Sequence, residues 1–241
     1  MGPIPHKAII KKFIDEKINL KDVEAILLVG SCAVGNDNKY SDIDVYIILN
    51  NKVKYRERGN LIIDGYLIEY FMNPIRKIID YLKNDKRGHG GSMANMLLNG
   101  KLIYGKKEVI NKLKKKAYYY VNKKNKRDIA KYYHAWDLYD DYKACMYHKE
   151  MPYYNALQAI IEAYLFNNDY FLLPPQKIER VFKDEDYRKK YKLKKFPNNI
   201  FNKLVINCFD NPIEENLDKL YEFVMRDGKF KIEEFILRSK I

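Results

Sequence analysis

Apolar and polar residues change rhythm part-way along this chain. Up to about residue 105, short apolar runs alternate with turn signals; beyond it, apolar positions recur at helical spacing. Ala8, Ile9, Phe13 and Ile14 predict an amphipathic helix over 6–18. Continuous apolar runs predict buried strands over 23–29 and 43–49, and a further strand is expected over 53–58. Leu61-Ile62-Ile63, Asp64-Gly65 and then 66–71 read as a hairpin, because Asp-Gly suits a two-residue type I′ turn. Side chains alternate faces along a strand, so Tyr66, Ile68 and Tyr70 share one face and Leu67, Glu69 and Phe71 the other. Asn73-Pro74 predicts a helix start, with Pro74 in the first turn and the helix running to about Lys86. Residues 88–92 read as a loop whose Ser92 caps a short helix reaching Leu98, and 100–105 as a short extended piece.

From Lys106 onward strand-like runs nearly vanish. Helical periodicity covers 107–124, 127–148 and 153–170, and Leu173-Pro174-Pro175 breaks the chain. Shorter helices are expected up to 182, over 199–209 and 213–225, and over 232–237. There is no internal repeat and no low-complexity linker. The pattern predicts a small α/β half and an all-α half.

Composition narrows the picture. The chain has 241 residues, 47% of them hydrophobic, enough for a packed core in one large or two small domains. No apolar run approaches the length of a membrane span. The first residues lack the apolar core of a signal peptide. Cys32, Cys145 and Cys208 form no zinc pattern and fit free thiols in a reducing cytoplasm. The formal net charge is +13. A polyanionic partner, a triphosphate substrate and an AT-rich coding bias towards lysine each account for it.

The segment around residue 30 carries the chemistry. Ile26-Leu27-Leu28-Val29-Gly30-Ser31 is followed, ten residues after Ser31, by Ser41-Asp42-Ile43-Asp44-Val45-Tyr46. Residues two apart in a strand point the same way, so Asp42 and Asp44 project together. Two carboxylates on one face repel unless a cation lies between them, and oxygen-only ligands suit a hard ion such as magnesium. Gly30 leaves room for a phosphate near the backbone, and the Ser31 hydroxyl can donate to it. Glu69 sits within an apolar run, where a lone charge is costly; joining the aspartates around a metal gives it a reason to be there.

This arrangement resembles the nucleotidyltransferase superfamily that includes DNA polymerase beta. The family pattern is a hydrophobic residue, Gly, Gly or Ser, a spacer of about ten residues, then Asp, hydrophobic, Asp or Glu, hydrophobic; Val29, Gly30, Ser31, Asp42, Ile43, Asp44 and Val45 match it. The resemblance implies a third carboxylate from a later strand, placed at Glu69. The order of elements is similar to kanamycin-type aminoglycoside nucleotidyltransferases, where a helical bundle follows the catalytic sheet. The phrase Leu98-Asn99-Gly100-Lys101-Leu102-Ile103-Tyr104-Gly105-Lys106 also resembles the end of the catalytic domain in such relatives. The expected fold class is therefore α+β: a small mixed β-sheet nucleotidyltransferase domain over 1–105, then an all-α helical bundle domain over 106–241.

The resemblance implies transfer of a nucleoside monophosphate, AMP first among them, from ATP or another nucleoside triphosphate to an acceptor hydroxyl. Two Mg2+ ions would be held by Asp42, Asp44 and Glu69, with Gly30 and Ser31 at the triphosphate. The expected acceptor is a small hydroxylated molecule such as an aminoglycoside; RNA or protein acceptors, and a silent nucleotide-binding regulator, are the alternatives. In the kanamycin type a general base comes from the helical domain. Glu162, interrupting the apolar face Ala159-Ile160-Ile161-Glu162-Ala163-Tyr164-Leu165, is the candidate here, with Asp137, Asp140 and Asp141 as rivals and an ordinary salt bridge as the plain alternative. Trp136 is expected in the core by its helical spacing. The family pattern also accommodates a homodimer.

Overall fold

The computed structural model describes residues 6–38, 40–85, 92–122, 128–168, 170, 175–191, 193, 196 and 198–232. They form two compact units, one within Met1–Lys123 joined by Lys189–Lys192, the other within Lys124–Arg188 and Leu193–Ile241.

The first unit is built on five strands: β1 (Val23–Leu28), β2 (Ile43–Leu49), β3 (Glu57–Ile63), β4 (Tyr66–Pro74) and β5 (Lys101–Gly105), in the order β3-β4-β2-β1-β5. β2 and β4 run parallel; the other neighbours are antiparallel, so the sheet is mixed as expected. Alternation divides its two faces. Ile26 and Leu28 of β1, Ile43, Val45, Ile47 and Leu49 of β2, and Ile68 and Met72 of β4 meet Ile9, Ile10, Phe13 and Ile14 of helix α1 (His6–Lys17). These residues form the core of that layer, and Phe13 packs on Tyr70 with ring centroids 5.4 Å apart. Each fully buried Leu, Ile or Phe there stabilises the unit by about 1.5–3 kcal/mol relative to exposure. The opposite face carries Ala25, Leu27, Tyr46 and Ile48, all buried, and it is the face that holds Asp44. Helices α3 (Ile75–Asp85) and α5 (Lys107–Asn122) contact β4 and β1, respectively, and α4 (Ser92–Asn99) packs between them.

Two local expectations change. No strand forms over 53–56. The Val53 carbonyl accepts from Arg76 Nη2 at 2.5 Å and its N–H closes a turn on Asn50, so neither group is left for a ladder. Glu57 and Arg58 instead extend β3, which begins four residues before Leu61. Asn73 and Pro74 do not open a helix; they are the last β4 residues, paired with Ile48 and Leu49, and α3 starts at Ile75. The loop read over 88–92 lies outside the described residues except for Ser92, as do Leu173 and Pro174 of the break and nearly all of 232–237. The pattern change at Lys106 coincides with the start of α5, and α5 packs within the first unit.

The second unit is helical: α6 (Asp128–Met146), α7 (Tyr153–Asn167), α8 (Pro175–Lys183), most of α9 (Glu185–Lys190), α10 (Asn199–Asp210) and α11 (Glu214–Asp227). Its core is aromatic. Tyr164 packs on Phe201 at 4.0 Å between centroids and Phe182 on Phe196 at 4.1 Å. The Tyr164 and Tyr142 hydroxyls donate to Asp227 and Asp218, which satisfies polar tips whose rings are buried. Trp136 is not core: it is 37% exposed and meets Tyr139 edge-on. No helix among the described residues is long and apolar enough to cross a membrane.

Candidate active site

The ends of three strands bring the acids together. β1 runs antiparallel to β2, so the end of β1 lies beside the beginning of β2, and Val29 N–H donates to the Asp44 carbonyl at 2.9 Å. β4 runs parallel to β2 with Asp44 directly beside Glu69. Same-face neighbours on adjacent strands have Cβ atoms about 5 Å apart. Asp42, just before β2, shares the side of Asp44. Carboxylate oxygens of Asp42, Asp44 and Glu69 all lie within 4.8 Å of one another, and all three residues are partly buried.

The turn after β1 fits around this cluster. Gly30 has φ +67°, and a Cβ placed on it would stand 1.9 Å from Asp44 Oδ2. Any other residue would both strain the backbone and displace the carboxylate. Gly30 opens the short helix α2 (Gly30–Val34), so the chain turns sharply across the acids. Cys32 Sγ donates to the Asp42 carbonyl at 3.2 Å, tying α2 to the start of β2. Lys190 Nζ donates to the Gly35 carbonyl at 3.2 Å and to Asn36 Oδ1 at 2.8 Å, holding the far end of α2. Burial, followed by Asp37 and opposed by the Ser31 hydroxyl, with smaller contributions from Asp44 and Asp42, pushes the Cys32 thiol up to about 11. Cys32 is therefore a neutral packing residue near pH 7, and no nucleophile.

Three oxygen-only ligands, close enough to share an ion, fit a divalent cation of the magnesium class. Arg58 is the partner that sequence reasoning missed. Its Nε donates to Glu69 Oε1 at 3.1 Å and its Nη2 donates to the same oxygen. The guanidinium also lies 4.9 Å from the Phe71 ring centroid. Arg58 pairs with Phe71 across the hairpin and is thus diagonal to Glu69. The Asp-Gly turn fixes that register, so the pair was within reach once β3 is extended to Glu57.

Glu162 lies in the second unit, on α7, half-buried, and accepts from Gln158 Nε2 at 2.8 Å one helical turn away. Among its rivals, Asp140 pairs with Lys143 at 3.1 Å. The Asp141 carboxyl is held above its ordinary value by burial and then by Asp137 and Asp140.

Residues 9–109 match the family model described as Polymerase beta, Nucleotidyltransferase. The match contains Gly30, Ser31, Asp42, Asp44 and Glu69, and it supports the nucleotidyltransferase superfamily for this part of the chain. No curated protein matches the sequence. A solved structure, a nucleotidyltransferase-like protein from Exiguobacterium sibiricum, aligns over 93% of this chain and 77% of that chain, at 11% identity and a TM-score of 0.40.

Proposed function

We propose that this protein transfers a nucleoside monophosphate from a nucleoside triphosphate to a hydroxyl group of a small acceptor. The observation that carries the reading is the convergence of Asp42, Asp44 and Glu69 beside Gly30, inside the segment that matches the nucleotidyltransferase family. In the reaction, the acceptor oxygen bonds to the α-phosphorus. The bond from that phosphorus to the bridging oxygen breaks, pyrophosphate leaves with the electron pair, and the hydroxyl proton passes to a base. Divalent ions held by the three carboxylates would neutralise charge on the attacking and leaving oxygens.

The chain's own residues have separate tasks. Asp42 and Asp44 would hold the ions; the Asp44 carbonyl is held by Val29 N–H and the Asp42 carbonyl by the Cys32 thiol. Glu69 would complete the site on the acceptor side, with Arg58 holding its Oε1. Gly30 lets the triphosphate approach the backbone, and the Ser31 hydroxyl donates to it. Aminoglycosides enter as one class of small acceptor on the strength of the two-part layout alone.

Incubation with labelled ATP, GTP, CTP and UTP plus magnesium, against aminoglycosides, nucleotides, RNA and the protein itself, tests the reading. Label on a small hydroxylated molecule, lost in Asp42→Asn, is the expected result. Label on RNA alone would replace the acceptor class, and nucleotide binding with no transfer to anything would favour a silent regulator.

A further inference from the structure

The third carboxylate of the site is gripped on one oxygen. Arg58 Nε donates to Glu69 Oε1 at 3.1 Å, and Arg58 Nη2 donates to the same atom. An arginine facing a carboxylate commonly pairs fork to fork, one donor on each oxygen. Here both donors fall on one. A carboxylate oxygen offers about two lone-pair directions, so the guanidinium uses up Oε1 and leaves Oε2 outside the pair. Asn60 stands directly opposite Glu69 in the β3–β4 ladder, yet the grip comes diagonally, from Arg58.

Arg58 is itself held in place. Tyr46 of β2, Phe71 of β4 and Arg58 of β3 form one row across the sheet, next to the row that holds Asp44 and Glu69. Along that row the side chains are layered. The guanidinium lies 4.9 Å from the Phe71 ring centroid, and the Phe71 ring lies 6.0 Å from the Tyr46 ring, with 20° between their planes. Tyr46 is buried, and its hydroxyl accepts from buried Asn73 Nδ2 at 2.9 Å. The cation–π contact and the pair of hydrogen bonds restrict the same planar group from two sides. A stack rooted in the buried layer thus ends on a single oxygen of Glu69.

This grip limits what Glu69 can offer to an ion. With Oε1 taken, only Oε2 remains. Mg2+ demands near-octahedral geometry, which single carboxylate oxygens supply; the larger Ca2+ takes more oxygens and readily uses both from one carboxylate. Resting on the reading of Asp42, Asp44 and Glu69 as an ion-binding cluster, we infer that Arg58 is a positioning residue that makes Glu69 a one-oxygen ligand and so sets the preference of the site for Mg2+-sized ions over Ca2+. It acts through Glu69 and touches neither ion nor substrate. Its charge by itself would not do this. A fixed positive charge opposes every divalent ion alike, so it moves both affinities and leaves their ratio unchanged.

Competition of Ca2+ against Mn2+, followed by electron paramagnetic resonance on the full chain with α,β-methylene-ATP, tests the inference. Mn2+ stands for Mg2+, and the quantity read is the ratio of the two affinities. Arg58→Met keeps the length of the side chain and removes every donor. It should raise Ca2+ affinity relative to Mn2+ by about fivefold or more, because Glu69 can then offer both oxygens. Arg58→Lys keeps the charge but lacks the planar fork, and should shift the ratio in the same direction. The Arg58 side chain is 67% exposed, so its ion pair adds little to stability and both variants should fold, which thermal melting checks. An unchanged ratio in Arg58→Met, or a parent-like ratio in Arg58→Lys, would overturn the inference while leaving the ion site standing. No saturable Mn2+ binding in the parent would bring down the ion-site reading and this inference with it.

Discussion

Gly30 shows how closely backbone and chemistry are joined at the level of single residues. Its φ of +67° and its contact with Asp44 leave no room for a side chain. Gly30→Ala should therefore destabilise the first unit by about 1–3 kcal/mol through backbone strain alone, and weaken divalent-ion binding because Asp44 is pushed aside; denaturant titration and Mn2+ titration read the two effects. Asp42→Asn keeps the shape and removes a charge. Transfer should fall by about 10²-fold or more, while the metal-free protein melts no lower than the parent, since one member of a like-charged cluster has been neutralised. Cys32 offers a check on burial. Its thiol titrates near 11 in the folded chain against 9.0 for an ordinary thiol. The unfolded thiol ionises first, so this contribution to stability is complete below about pH 9 and is lost as pH rises towards 11. All three cysteines are buried, so a disulfide reagent at pH 8 should label them slowly in the native chain and at once in denaturant. The acids Asp42, Asp44 and Glu69, and Gly30 beside them, which the structure brings together, were legible because each breaks a local rule: acids beside apolar runs, a small residue where a strand ends. Arg58 breaks none. An arginine on an exposed strand edge is ordinary, and only the pairing register reveals its carboxylate.

The β3–β4 hairpin is the element on which that register depends. Asp64 and Gly65 both have positive φ, +50° and +81°, as a type I′ turn requires, and the ladder proceeds without a slip from Ile63↔Tyr66 to Glu57↔Met72. Gly65→Ala should cost about 1–2 kcal/mol from the left-handed conformation. Because a shifted register would move every β3 side chain to the other face, Arg58 would then lose Glu69. Hydrogen exchange along β3 should report the loosening before global melting does. The Asp-Gly signal was readable because turn chemistry is local. The true beginning of β3 was not: Arg76, distant in sequence, takes the Val53 carbonyl and removes 53–56 from the ladder. The end of β4 was hidden for a similar reason, since Asn73 and Pro74 are held as strand by β2.

At the scale of the whole molecule, the mixed sheet followed by helices was visible in the change of apolar spacing, because burial on a sheet and burial on a helix impose different periods. Where α5 belongs was not visible, since an amphipathic helix shows that it packs but not on what. The charge of +13 also belongs to this scale. Binding through many phosphate contacts on RNA would lose about 10³-fold or more between 50 and 200 mM salt. A small acceptor makes few such contacts, so initial transfer rates should change only a few-fold over that range.

Titration of Mn2+ followed by electron paramagnetic resonance, in the presence of α,β-methylene-ATP, probes the grip of Asp42, Asp44 and Glu69 itself. Two saturable ions per chain in the parent protein, with binding lost in Asp44→Asn, is the predicted result. No saturable binding, or binding that Asp44→Asn leaves intact, would contradict it.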